Sequence, residues 1–184
     1  MSTTEDLESA TRAVARAAGD AQRSAGSARP LLRECLTFRL GDEEYGIDIL
    51  RVQEIRGYEQ PTRIANAPAF VKGVLNLRGV IVPVVDLRLK FRLPNVAYDA
   101  VTVTVVLNVA GRTVGVVVDS VSDVVELAGD QIKSSPEFNS TVDTGHVIGI
   151  GTIQQGERER MLILVDIEAL MSSAEMGLIS PTIQ

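Results

Sequence analysis

Apolar and polar residues alternate along most of the chain beyond its first thirty or so positions, which is the period of strands buried on one face. The stretches CLTFRL (35–40) and YGIDI (45–49) alternate in this way and flank GDEE, whose composition favours a turn. A second pair, VTVTVVLNV (101–109) and TVGVVVD (113–119), flanks a short Ala-Gly-Arg turn. The pattern therefore predicts two β-hairpins.

Two blocks of sequence occur twice, in the same order. YGIDILRVQEI (45–55) aligns without gaps with VGVVVDSVSDV (114–124), and VIVPVVDL (80–87) aligns with RMLILVDI (160–167). Each half is too short to bury a generous core alone. The repeat therefore predicts an all-β fold made of two small β-units that complete one another.

An arginine stands in the turn before the most apolar stretch. The segment Asn76-Leu77-Arg78-Gly79 has turn chemistry, because glycine readily adopts a positive φ, and it presents Arg78 to solvent. Pro83 lies inside the strand that follows and cannot donate a backbone hydrogen bond. We expect this strand to bend at a barrel corner or to lie at an edge.

Residues 1–33 differ from the rest, since they are rich in Ala, Ser, Arg and Gly and contain no aromatic residue. A thin apolar stripe of Leu7, Val14 and Ala18 could line a short helix. The composition favours a mobile tail with nascent helicity over a partner-binding helix. The role of this tail stays open.

The folded part is predicted over residues 34–178, followed by a C-terminal tail over 179–184. Short helical patterns, LRLKF and EALM, follow the two copies of the second block, and the later one predicts helix near 167–178. Asp86 and Asp166 precede these patterns. They could form a catalytic carboxylate pair, but aspartate is also a preferred helix N-cap, and the repeat favours capping in both copies.

The charge and composition exclude several classes of protein. A net charge of −6 and a pI near 4.9 argue against nucleic-acid binding, which calls for a basic surface. The longest apolar stretch, Val80 to Val85, is too short to cross a membrane. The amino terminus lacks an apolar signal region, and Cys35 is the only cysteine. We expect a cytoplasmic protein with no direct membrane insertion.

No catalytic or cofactor motif stands out. His146 is the only histidine, and HVIGIGTI alternates glycine with β-branched residues instead of opening a helix, unlike a phosphate loop. The residues therefore favour a non-enzymatic adaptor without metal or cofactor. A small-molecule-binding or other signalling β-barrel module is the alternative, and a hydrolase is the third.

Four stretches resemble the chemotaxis coupling family CheW: FRLGDEEYGIDILRVQEIRGY, RIANAPAFVKGVLNLRGVIVPVVDLRLKF, GVVVDSVSDVVEL and RMLILVDIEALM. The resemblance implies two intertwined SH3-like five-stranded barrels with short connecting and C-terminal helices. It also implies a scaffold between the histidine kinase CheA, through its regulatory domain, and the cytoplasmic tips of methyl-accepting chemoreceptors. Ring neighbours in the array are further partners.

The resemblance also assigns candidate binding residues. Its V-x-E-I segment falls on Val52, Glu54 and Ile55, and its N-L-R-G turn includes Arg78 and Gly79. Because Val52 and Glu54 are two apart, we expect them to share a face, with Glu54 paired to Arg78. The resemblance further implies a groove between the barrels that receives the receptor helix, formed here by Ile49, Val52, Val103 and Val124. It also implies a loop that contacts the kinase, with Phe138 as its apolar anchor.

Overall fold

The computed structural model describes residues 7–16, 33–134 and 145–171, and these ranges contain eleven β-strands and three short α-helices. The strands are β1 Arg33–Leu40, β2 Glu43–Asp48, β3 Val52–Gly57, β4 Val71–Leu77, β5 Val80–Asp86, β6 Val103–Val109, β7 Arg112–Val118, β8 Ser120–Leu127, β9 Ile132–Lys133, β10 Val147–Gln155 and β11 Arg158–Val165. The helices are α1 (7–16), α2 (Leu87–Lys90) and α3 (Ile167–Met171). Two 3-10 turns cover Ile49–Arg51 and Gly129–Gln131.

The two halves of the chain exchange strands. One sheet has the order β8-β1-β2-β11-β10-β9, and the other has the order β3-β6-β7-β5-β4. The repeat matches β1 with β6, β2 with β7, β3 with β8, β4 with β10 and β5 with β11. With this matching, the two sheets have the same strand order, apart from the two-residue β9. Each sheet therefore combines one hairpin from one repeat with three strands from the other, and the predicted pair of intertwined SH3-like barrels is confirmed.

The exchange depends on two equivalent parallel contacts. Leu164 of β11 pairs with Gly46 of β2, and Val84 of β5 pairs with Gly115 of β7. A Cβ atom at Gly46 would lie 3.0 Å from Cδ2 of Leu164, and one at Gly115 would lie 3.1 Å from Cγ2 of Thr104. Glycine at both repeat positions thus leaves room for a side chain from the neighbouring strand of the same sheet.

Apolar side chains form one large cluster and two smaller ones. The large cluster lies between the sheets and takes buried residues from strands of both, including Phe38, Val105 and Val116. One small cluster fills the barrel of the five-stranded sheet, around Val84. The other fills the second barrel, around Leu162. This division follows from alternation, since successive residues of a strand point to opposite faces.

Pro83 lies opposite Val74 in the β4–β5 pair. Val74 already donates to and accepts from the backbone of Thr62, so Val74 and Pro83 form a non-hydrogen-bonded pair. The proline nitrogen therefore points toward β7, whose pairing with β5 begins only at Val84. The missing N–H removes no bond from the β4–β5 ladder.

The predicted N-caps are present in both repeats. Oδ1 of Asp86 accepts from the backbone N–H of Arg88 at 3.0 Å, and Oδ1 of Asp166 accepts from that of Glu168 at 3.0 Å. Their surroundings differ, because Asp86 is fully buried and Asp166 is exposed. Capping therefore accounts for both carboxylates.

A buried ion pair lies beside the first cap. Asp86 and Arg88 are 0% and 1% exposed, and the guanidinium donates from Nε and Nη2 to the two carboxylate oxygens at 3.0 and 2.9 Å. Nη1 of Arg88 donates to Ala97 O and to Asp119 Oδ1, while Oδ2 of Asp119 accepts from Gly41 N at 2.6 Å. Gly41 lies in the β1–β2 turn, so this network joins the two sheets.

Helix α1 lies within residues 1–33, for which the sequence predicts a mobile tail with nascent helicity. Ala10 and Val14 are 3% and 5% exposed and belong to the large cluster, with Leu7 packed against it. Of the apolar stripe expected from the sequence, Leu7 and Val14 are described, whereas Ala18 lies outside the described residues. The described part of the stripe is covered because the groove it meets is itself apolar, which the helix sequence alone could not reveal.

We predict that Arg88→Met lowers the free energy of unfolding by about 3–5 kcal/mol, because it leaves the Asp86 carboxylate buried without its charged partner, although Tyr98 still donates a hydrogen bond to it. The measurement is a urea denaturation midpoint at neutral pH. The matched control is the double variant Asp86→Asn/Arg88→Met, which keeps a capping side chain, removes the charge and should lose less. Equal losses in the single and double variants would contradict this account.

Candidate functional site

The pairing predicted between Glu54 and Arg78 is present. Nη2 of Arg78 donates to Oε2 of Glu54 at 2.7 Å, and Nη1 of Arg56 donates to Oε1 at 3.2 Å. The Glu54 side chain is 21% exposed, whereas that of Arg78 is 74% exposed. The pair joins β3, at one end of the five-stranded sheet, to the β4–β5 turn at its other end. It therefore holds an exposed guanidinium at the point where the barrel closes.

The β4–β5 turn does not need an arginine. Arg78 and Gly79 have φ values of 53° and 87°, as a two-residue type I′ turn requires, and Gly79 N donates to Asn76 Oδ1 at 2.9 Å. The β6–β7 turn has the same conformation, with φ values of 50° at Ala110 and 81° at Gly111. Since alanine serves at the equivalent position, backbone geometry does not account for the long charged side chain of Arg78.

The arginine lowers the pKa of its partner. The pKa of the Glu54 carboxyl lies below its ordinary value, first because Arg78 donates a hydrogen bond to it, and further because Arg56 does so. Partial burial acts in the opposite direction and is outweighed. The carboxylate is therefore charged at neutral pH and orients the guanidinium.

Val80 and Ile81 adjoin the turn and were missed as candidates. Their exposures are 52% and 61%, which is high for aliphatic residues at the start of a strand whose later residues are buried. The sequence carried little signal for this exposure, because an uninterrupted apolar run is equally consistent with a strand buried on both faces. We call Glu54, Arg56, Arg78, Val80 and Ile81 the hairpin surface.

The expected shared face of Val52 and Glu54 is wrong. The register of β3 against β6 shifts between these two residues, as at a β-bulge. Val52 and Ile55 are both 7% exposed and lie in the large cluster, whereas Glu54 reaches Arg78. The bulge turns the carboxylate away from the core without ending the strand.

The boundary between the two sheets, which we call the seam, contains the predicted groove residues Ile49, Val52, Val103 and Val124. Ile49 and Val103 are 4% and 6% exposed in the large cluster, and Val124 of β8 is half-buried and packs against it. A cavity of about 70 Å³ opens beside Val103 and is also lined by Val101, Val121 and Leu7 of α1. All four groove candidates thus belong to or pack against the large cluster, whereas Glu54, Arg78 and Gly79 lie in a separate group.

The candidate Phe138 lies outside the described residues. Within the parts of the chain that are described, no group of three histidine, cysteine or acidic side chains could hold a metal ion. Nor does any helix of those parts combine the length and apolarity needed to cross a membrane.

Comparison with known proteins places the chain in a family. The model of the CheW-like domain matches residues 34–175. The chemotaxis protein CheW of Klebsiella aerogenes is 60% identical over 147 residues, which cover 80% of this chain and 86% of that protein. The CheW protein of Bacillus subtilis is 33% identical over 138 residues, covering 74% and 85%.

A solved structure agrees with these sequence relatives. The crystal structure of the scaffolding protein TtCheW from Thermoanaerobacter tengcongensis superposes with a TM-score of 0.71 at 27% identity. The match covers 81% of this chain and 99% of that one. The chain described here belongs to the CheW family of chemotaxis proteins.

Proposed function

We propose that this protein is a non-catalytic adaptor that couples methyl-accepting chemoreceptors to the histidine kinase CheA in cytoplasmic signalling arrays. The observation that carries the proposal is the hairpin surface, where Glu54 holds the exposed Arg78 beside exposed Val80 and Ile81. Family membership supports the chemotaxis role.

The composition of the hairpin surface suits a protein partner. Arginine and aliphatic side chains side by side offer directional hydrogen bonds and apolar contact within one patch. A guanidinium already held by a carboxylate loses less conformational freedom when a partner binds. We assign this surface to a contact with the kinase regulatory domain or with the receptor.

The seam is the second surface of the proposal. We assign to it the binding of a receptor helix, through half-buried Val124 and the buried residues Ile49, Val52 and Val103. Ile55 supports the same core, and Phe138 stays a candidate for the contact with the kinase in the ring. Two surfaces on one interlocked body would let a shift in the receptor reach the kinase.

We predict that Arg78→Glu weakens binding to the kinase regulatory domain, to a receptor-tip fragment or to both by at least tenfold, because like charges at an interface cost several kcal/mol. The cost to folding should be about 1 kcal/mol or less, since Arg78 is mostly exposed. Calorimetric affinities and a urea midpoint test both parts.

The matched control for this variant is Ala110→Glu, which places the same carboxylate at the equivalent position of the β6–β7 turn. It should leave both affinities unchanged. If Arg78→Glu also binds both partners normally, Arg78 is an ordinary exposed turn residue and the hairpin surface is not an interface.

A second prediction concerns the orientation of the guanidinium. Arg78→Met should raise the pKa of Glu54 toward its ordinary value, and Arg56→Met should raise it less, because Arg78 is the larger cause of the shift. Carbon-detected NMR titration of the Glu54 carboxyl measures both.

The sign of the pH effect follows from linkage. The folded-state pKa of Glu54 lies below the unfolded one, so the contribution of the pair is present above the unfolded-state pKa. It disappears as the pH falls through the folded-state value. The difference in stability between the natural chain and Arg78→Met should therefore close in acid. A difference that persists there would mean that Arg78 acts through packing.

A further inference from the structure

Helix α1 lies on the surface to which we assign the receptor helix. Its buried residues Ala10 and Val14, together with Leu7, are spaced at i, i+3 and i+7 and form one helical face. Leu7 and Val103 line the same cavity. Val124 lines a second space with Ala13 and its neighbours on α1. Two of the four groove candidates thus lie against this helix.

The apolar contact between α1 and the body is narrow, and an open space lies beside it. The second space has a volume of about 460 Å³ and lies between α1 and the strands β1 and β8. Arg12 and Arg16 of the helix line it together with Glu34 and Glu126 of the body. Side chains of opposite charge therefore border this space, while apolar contact is confined to a single stripe.

Helix α1 lies outside the strands and outside the family domain. All eleven described strands lie between Arg33 and Val165, and the family match begins at residue 34. No strand pairs with the helix. Ten of its residues are described, and an isolated helix of that length is marginal in water. The apolar contact with the groove therefore helps to hold the helix in place.

We propose that α1 is an intramolecular occupant of the seam that a partner's amphipathic helix must displace. This inference rests on the proposed binding of a receptor helix at that surface. Because α1 belongs to the same chain, it competes at a high effective concentration, and a weak contact suffices to keep the groove closed in most molecules. The apparent affinity for the partner is lowered by the fraction of molecules in which the groove is open.

Matched substitutions on the two faces of α1 test the proposal. Ala10 is buried and Ala15 is exposed, so Ala10→Glu and Ala15→Glu make the same change with different consequences for the contact. Ala10→Glu should bind a receptor-tip fragment about tenfold more tightly, as expected if the groove is open in about a tenth of the natural molecules. Ala15→Glu should bind like the natural chain. Urea midpoints confirm that both variants fold.

Displacement can be observed directly, because the chain contains no tryptophan. In Leu7→Trp the new side chain reports on the cavity beside Val103. Adding a tryptophan-free receptor-tip fragment should move its emission to longer wavelength as α1 enters water. Combining Leu7→Trp with Ala10→Glu should give the shifted emission without any fragment.

The outcomes separate this inference from the proposed function. Tighter binding by Ala10→Glu together with the emission shift supports both. Equal affinities with unmoved emission would overturn the role of α1 and leave receptor binding intact. A fragment that binds none of the variants, including Ala10→Glu, would overturn receptor binding at the seam and, with it, the proposed competition.

Discussion

The exchange of strands between the two repeats is the constraint on which the rest of the structure depends. Each sheet is completed by strands from the other half, through the equivalent parallel pairs β2–β11 and β5–β7. Separating the halves would open both small barrels and expose the large cluster between the sheets. The body is therefore a single interlocked unit, and the network of Asp86, Arg88 and Asp119 adds a polar link between its sheets.

Duplication has produced two related arginine–carboxylate pairs with different surroundings. Glu54 and Asp123 occupy the same repeat position, and each accepts hydrogen bonds from an arginine. Arg160 is 16% exposed and also binds Glu44, so it holds β11 to β2 and β8. The hydrogen bond from Arg160 is the main cause that lowers the pKa of Asp123. Arg78 leaves most of its surface in water. The Asp123–Arg160 pair therefore stabilises the fold, while the Glu54–Arg78 pair presents a charged group to solvent.

The two proposed surfaces differ in how they are prepared for a partner. At the hairpin surface, a type I′ turn and a carboxylate hold the arginine in place before any partner arrives. At the seam, apolar residues of both sheets are partly covered by α1, a short helix outside the family domain. The first surface is preorganised, whereas access to the second depends on an equilibrium within the chain.

The sequence by itself determined the local elements, the repeat and the caps, because alternation, turn chemistry and capping each depend on residues a few positions apart. It also indicated the Glu54–Arg78 pair through family resemblance. Only the tertiary structure decided which strands complete which sheet, that a bulge turns Glu54 away from Val52, and that Arg88 is buried while Val80 and Ile81 are not. It also decided that the thin stripe of α1 is covered. Burial is set by what packs against a residue, and those neighbours come from distant parts of the chain.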